Sequence, residues 1–336
     1  MIDARTATLI LQEHRERPIS GRCLTVGRQS IGLTPAGLRK LMDYWSMPVL
    51  PTAEVEIDHE TYSSEGQGWV TDRSFFSHWT ADATVVACDV SDYEGAQVVF
   101  DLNEAPPADL IERFDFVYNG SCLDNVFNPA RALRNIASLV RPHGRLMLIE
   151  HGSPLNSAYV MYSPAWFFDY FAINGFTDCK IYMFMLDRWG DTWTAFRWHA
   201  FHSRDGRLVP TVQMDDRWRH AVLVAIAERG ESSTVDRQPI QAFYREAHDG
   251  EDNPAEAAYR EAHRRFEQRR VGQVRFRPVV PAIRSWPPKE VYRKLPWLQA
   301  TGRPLVAKAE DRREQRRLLQ RAESKTTPGW EFMGLF

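Results

Sequence analysis

Thr84-Val-Val-Ala-Cys-Asp89 and Ala96-Gln-Val-Val-Phe-Asp101 are two short, mostly apolar runs that each close on an aspartate. Strands buried on both faces of a parallel sheet read as unbroken apolar runs, whereas a half-exposed strand alternates. An acid at the end of each run then stands at the carboxyl edge of such a sheet, where α/β folds collect their ligands. The turn between them, Ser91-Asp-Tyr-Glu-Gly95, is too short for a crossover helix, which takes about a dozen residues.

The same rhythm extends in both directions. Upstream, Arg22-Cys-Leu-Thr-Val26 is a β-prone run that ends in Gly27-Arg-Gln-Ser-Ile-Gly32. Thr34-Pro35 follows as a cap residue with proline at the first helical position, and Leu38, Leu41, Met42 and Trp45 recur at helical spacing. Downstream, Phe114-Asp-Phe-Val-Tyr118 runs into Asn119-Gly120. Asn128-Pro129 then opens a helix with Ala132, Leu133, Ile136, Ala137 and Val140 on one face, and Pro142 and Gly144 stop it. Arg145-Leu-Met-Leu-Ile149 is a further strand that ends at Glu150-His151. A helix at Pro164 to Ala172, a strand-like run at Thr177 to Leu186, an aromatic-dense stretch from Arg188 to Phe201 and a last strand at Arg219 to Ala227 complete the series. This order predicts a doubly wound α/β fold with a mostly parallel sheet.

Two segments break the pattern. Residues 47–80 carry Pro48, Pro51, Gly66 and Gly68 and read as an insertion or lid. Asp58-His59-Glu60 within it are consecutive, so they do not converge from a regular element, and no metal site is expected. From residue 236 onward the chain changes character: an amphipathic helix opening at Asn253-Pro254, Pro-rich sequence from Arg277 to Trp297, and a polar helix from Ala309 to Ala322. The expected organisation is a Rossmann-like domain over 1–235 and a mainly helical or irregular extension over 236–336, docked on the domain or on a second copy of the chain.

Composition narrows the function. Lys and Arg number 42 against 44 Asp and Glu, a net charge of −2, so no global positive field draws nucleic acid. No apolar stretch approaches the ~20 residues of a membrane span, and the N-terminus lacks the pattern of a leader peptide. A cytoplasmic protein is expected. Cys23, Cys88, Cys122 and Cys179 are scattered without metal-ligand spacing, as buried reduced thiols would be.

Cys23-Leu-Thr-Val-Gly-Arg-Gln29, Cys88-Asp-Val-Ser-Asp-Tyr-Glu-Gly95, Phe100-Asp-Leu-Asn103, Asp115-Phe-Val-Tyr-Asn-Gly120 and Leu139-Val-Arg-Pro-His-Gly-Arg-Leu146, in this order and spacing, resemble the class I S-adenosylmethionine-dependent methyltransferases. The branch they are most similar to is that of sugar and surface-polysaccharide biosynthesis, and the likeness covers residues 21 to about 245. It implies S-adenosylmethionine as cofactor. Gly27, Arg28 and Gln29 would hold its methionine part, Asp89 the ribose hydroxyls, and Asp101 with Leu102 the adenine, with Asn119 and Gly120 also at the cofactor. Two departures stand out. The Gly-x-Gly-x-Gly loop is replaced by Gly27-Arg28-Gln29-Ser30-Ile31-Gly32, and Asp124-Asn125 stand where relatives tend to carry Glu-His.

The implied reaction is methyl transfer to a hydroxyl or amine of a small-molecule or glycan acceptor, with His151 and Asp124 as base candidates. Tyr159 and Tyr162 would line the acceptor site, and Trp189, Trp193 and Trp198 would offer stacking faces. The alternative is a catalytically inactive methyltransferase-like binding or assembly protein. A nicotinamide-dependent enzyme would need Gly-x-Gly-x-x-Gly after the first strand, which this chain lacks.

Overall fold

The computed structural model describes residues 1–50, 55–80, 82–153, 158–187, 193–198, 218–241, 259–262, 264–266 and 330–335. Its helices are α1 (Ala4–Glu16), α2 (Pro35–Tyr44), α3 (Asp72–Ser77), α4 (Pro129–Leu139) and α5 (Pro164–Ile173). Its strands are β1 (Arg22–Val26), β2 (Thr84–Asp89), β3 (Val98–Val99), β4 (Phe114–Gly120), β5 (Val140–His151), β6 (Asp178–Asp187), β7 (Trp193–Trp198), β8 (Trp218–Glu228) and β9 (Trp330–Leu335).

Local chemistry accounts for the helix starts. The Thr34 hydroxyl accepts from the Gly37 N–H at 3.2 Å with Pro35 behind it. The Asn128 amide oxygen accepts from the Arg131 N–H at 3.1 Å with Pro129 in the same role. The first helix is capped by Asp3, which accepts from the Thr6 N–H at 2.8 Å.

Among the described residues, the nine strands join one sheet in the order β3-β2-β1-β4-β5-β8-β6-β7-β9. The first five are parallel, and β8 runs antiparallel between β5 and β6. The order 3-2-1-4-5 is that of a doubly wound Rossmann-like sheet, which reverses between β1 and β4 and opens a crevice at their carboxyl ends. The run Ala96 to Phe100, expected as a full strand, contributes only Val98–Val99, paired with Cys88 and Asp89.

Side chains cover both faces, so β1 is buried from Cys23 to Val26. One face packs α1, α2 and the segment before β2, with Leu11, Leu38, Val70, Phe75 and Phe76 at its centre. Residues 55–80 thus contain a short 3-10 turn (Tyr62–Ser64) and α3, whose Phe75 and Phe76 are fully buried. The other face packs α4 and α5. Helical residues 259–262 and 264–266 lie against α5, with the Tyr259 and Phe266 rings 5.7 and 5.3 Å from that of Phe168. The terminal strand β9 extends the sheet beyond β7. The expected elements at 277–297 and 309–322 lie outside the described residues. Among those described, no helix is long and apolar enough to cross a membrane, and no cluster of three or more His, Cys, Asp or Glu is placed to hold a metal. The four cysteines are free, and burial pushes the Cys88 thiol up to about 12.

Candidate active site

The end of β1 turns on Gly27, at φ +74°. A Cβ there would stand 2.8 Å from Cys122 Sγ, so only glycine lets this backbone line the crevice. Next to it, Asp89 closes β2; its two carboxylate oxygens accept from the Val90 N–H at 2.7 Å and the Arg28 N–H at 3.3 Å. Asp101, past β3, accepts from the Asn103 N–H and amide at 2.8 and 2.9 Å. Gly27, Asp89, Asp101, Leu102, Asn125 and Val126 line one cavity of about 330 Å³. That volume suits a small ligand, and its place is the switch point of the sheet. A larger cavity, about 790 Å³, lies between α4, α5 and residues 235–241, with no acid from the ends of β2 and β3 in its wall.

Four other residues expected at the cofactor stand behind this cavity rather than in its wall. The Arg28 guanidinium is buried and turned to Asp72, to Glu60 at 3.2 Å and to Asp58 at 4.0 Å. Burial alone would lower its pKa, but these acids raise it. Gln29 donates to the Val26 and Gly27 carbonyls at 3.0 and 3.1 Å and accepts from the Met1 amino group at 2.9 Å. Asn119 is buried and donates to Glu150, and Gly120 packs against Gln29, whose Oε1 would meet an added Cβ at 2.5 Å. Of these, Gln29 ties down the Gly27 turn through its bonds to the Val26 and Gly27 carbonyls.

The base candidates meet at the ends of β4 and β5. His151 Nε2 lies 3.3 Å from Asp124 Oδ2, which also accepts from the Ser121 hydroxyl at 2.7 Å. Burial raises the Asp124 carboxyl above its ordinary value. Behind it, burial and then the Asp124 charge push Glu150 well above the usual carboxylate range, while Glu150 accepts from the Leu123 and Asp124 N–H groups at 3.2 and 3.1 Å.

The aromatic residues divide. Tyr159 is 75% exposed, and its ring meets that of Phe127, 88% exposed, edge to face at 6.5 Å. Tyr162 is buried, and its hydroxyl donates to the Leu123 carbonyl at 2.8 Å. Trp198 packs on Phe168 at 5.2 Å. Trp193 contributes its backbone to β7, and Trp189 lies outside the described residues.

Sequence reasoning missed Phe127 and His220. Phe127 directly precedes the Asn128 cap, which is a usable signal. His220 has only a weak one, a histidine just before the apolar run Ala221 to Ala227, because its place depends on which strand β8 joins.

No protein-family model and no curated protein matches the sequence. Solved structures that it is similar to include the methyltransferase domain of the citrinin polyketide synthase, at 13% identity, covering 68% of this chain and 52% of that one, TM-score 0.34. Another is the Burkholderia thailandensis 1,6-didemethyltoxoflavin-N1-methyltransferase with its substrate and S-adenosylhomocysteine, at 16% identity, 68% and 78% coverage, TM-score 0.31. A third is a Haemonchus contortus phosphoethanolamine N-methyltransferase with phosphomonomethylethanolamine and S-adenosylhomocysteine, at 12% identity, 66% and 52% coverage, TM-score 0.35. The chain thus spans about half the length of the first and third of these.

Proposed function

We propose that the protein is an S-adenosylmethionine-dependent methyltransferase acting on a hydroxyl or amine of a sugar or glycan-related acceptor. The observation that carries this reading is the cavity at the ends of β1, β2 and β3, where a glycine backbone and two strand-end aspartates converge. The residues suit the cofactor. Asp89, in the cavity wall, would accept the ribose hydroxyls, since a carboxylate takes two vicinal donors well. Asp101 and Leu102 offer an acceptor and an apolar face to the adenine, and the Gly27 backbone admits close approach of the methionine part. When bound, S-adenosylmethionine supplies a sulfonium methyl for displacement by the acceptor.

The chain's own residues position the acceptor and take its proton. The Asp124–His151 pair lies at the same edge of the sheet, and the loop carrying Asn125 and Val126 joins it to the cavity. Phe127 and Tyr159 present exposed aromatic surface, with the Tyr159 N–H donating to the Asp124 carbonyl at 2.7 Å, and such surface suits stacking on a sugar ring. The absent glycines do not argue for an inactive protein, because Arg28 and Gln29 occupy other space.

Calorimetry with S-adenosylhomocysteine tests the reading. One-to-one binding that is lost in a variant filling the cavity is expected. A wild-type protein that binds neither this product nor S-adenosylmethionine overturns it.

A further inference from the structure

The larger cavity, about 790 Å³ between α4, α5 and residues 235–241, shares no lining residue with the one at Asp89 and Asp101. Both helices line it with their N-terminal halves, α4 as far as Arg134 and α5 as far as Tyr170. Because α4 follows β4 and α5 follows β5, two parallel strands, both helices begin at the carboxyl edge of the sheet. The positive ends of their dipoles therefore stand in the cavity wall. The Ser163 hydroxyl, at the start of α5, makes no cap bond to the helix.

Charge and shape in the wall select the ligand. Three arginines, Arg131, Arg134 and Arg237, stand against two aspartates, Asp169 and Asp236. Arg131 is engaged by Glu104 at 3.1 Å. The guanidiniums of Arg134 and Arg237, both exposed, make no ion pair or hydrogen bond among the described residues. The Arg134 charge reaches the Tyr170 phenol in the same wall, which burial raises and Arg134 lowers. A guanidinium is a planar fork that takes phosphate bidentately, and the uncapped start of α5 adds to the same preference. Two such forks answer the two charges of a phosphate monoester, whereas a carboxylate carries only one. The space is far more than a phosphate ion fills, and it lies in the range of small-molecule sites. Trp166, half-buried and braced on the rings of Tyr162 at 4.7 Å and Phe167 at 5.0 Å, gives the wall a fixed aromatic surface that suits the C–H face of a sugar ring. Asp169 and Asp236 bring carboxylate oxygens, each with several lone pairs, for the ring hydroxyls.

We propose that this cavity binds a sugar phosphate, with its phosphate on Arg134 and Arg237 and its ring on Trp166. The site goes beyond the methyl-transfer reading and does not depend on it, since none of its residues lines the cavity at Asp89 and Asp101.

Calorimetry on the full chain tests this with glucose 1-phosphate and, separately, ribose 5-phosphate, each with and without saturating S-adenosylhomocysteine. One-to-one binding of at least one of the two is expected, and S-adenosylhomocysteine should not displace it. Arg134→Gln and Arg237→Gln are each expected to weaken binding at least tenfold, as loss of a charged hydrogen-bond donor does. Their melting temperatures should stay at the wild-type value, because both side chains are exposed and unpaired among the described residues. Arg39→Gln, at an exposed arginine of α2 across the sheet, is expected to change nothing. Absence of binding by both sugar phosphates overturns the proposal. So does equal affinity for inorganic phosphate, tighter binding of glucuronate, displacement by S-adenosylhomocysteine, or affinity unaltered in both arginine variants. A chain that binds a sugar phosphate but not S-adenosylhomocysteine would keep this site and lose the methyl-transfer reading; the reverse pattern would lose only this site.

Discussion

Asp89 and Gly27 act at the cavity in different ways, and their substitutions separate accordingly. Asp89 contributes acceptor oxygens, so Asp89→Ala is expected to weaken S-adenosylhomocysteine binding at least tenfold, about 1.4 kcal/mol. Calorimetry with unchanged affinity would remove Asp89 from the site. Gly27 contributes the absence of a side chain at positive φ, where a Cβ would press on Cys122 Sγ. Gly27→Ala is therefore expected to lower both affinity and stability, the latter by about 1 kcal/mol from backbone conformation alone. A Gly27→Ala protein with a wild-type melting temperature and affinity would show that the turn tolerates a side chain.

Among the elements, α1 is tied to the far side of the sheet through one carboxylate. Glu13 accepts from Arg145 of β5 at 2.5 Å and from Lys180 of β6 at 2.7 Å, all three side chains being largely buried. Burial by itself would raise the Glu13 carboxyl, but the two cations more than offset this and hold it below its ordinary value of 4.5. A carboxylate lowered on folding stabilises the fold fully above its unfolded value, and that contribution fades as pH falls through the folded value. Glu13→Gln is expected to cost about 3 kcal/mol at neutral pH, because it leaves buried cations unpaired. It should also flatten the loss of melting temperature on acidification below about pH 4.5. Thermal melts across that range check both; a parallel shift at every pH would contradict the linkage.

For the whole molecule, residues beyond 235 add surface to both ends of the structure described above. Tyr259 and Phe266 cover Phe168 on α5, and β9 covers the edge of β7. We propose that 236–336 is an extension that completes a domain formed by 1–235. Deleting it is expected to lower stability by at least about 3 kcal/mol, since burying each large aromatic contributes roughly 1.5–3 kcal/mol. It should also reduce solubility by opening a sheet edge, while affinity for S-adenosylhomocysteine changes little. Melting curves and calorimetry on the shortened chain check this, and an unchanged melting temperature would show an independent appendage.

The sequence by itself determined the parts that depend on neighbours along the chain. The apolar runs closing at Val26, Asp89 and Tyr118 are strands because a parallel strand buried on both faces must be apolar throughout. Thr34-Pro35 and Asn128-Pro129 open helices because their side chains and prolines settle the first free N–H groups. The strand-end acids Asp89 and Asp101, and His151 and Asp124 as separate base candidates, were legible for the same reason, since each stands at or near the end of a readable element; that His151 and Asp124 pair at 3.3 Å was not. The first helix was missed although its signals are local, the Asp3 cap and the basic His14 and Arg15 in its last turn. Only the tertiary structure decided that β8 inserts antiparallel beside β5 and brings His220 and Ser153 to His151. It alone turned Arg28 and Gln29 away from the cavity. Strand order and the direction of a side chain depend on partners distant in sequence, and periodicity along the chain carries no record of them.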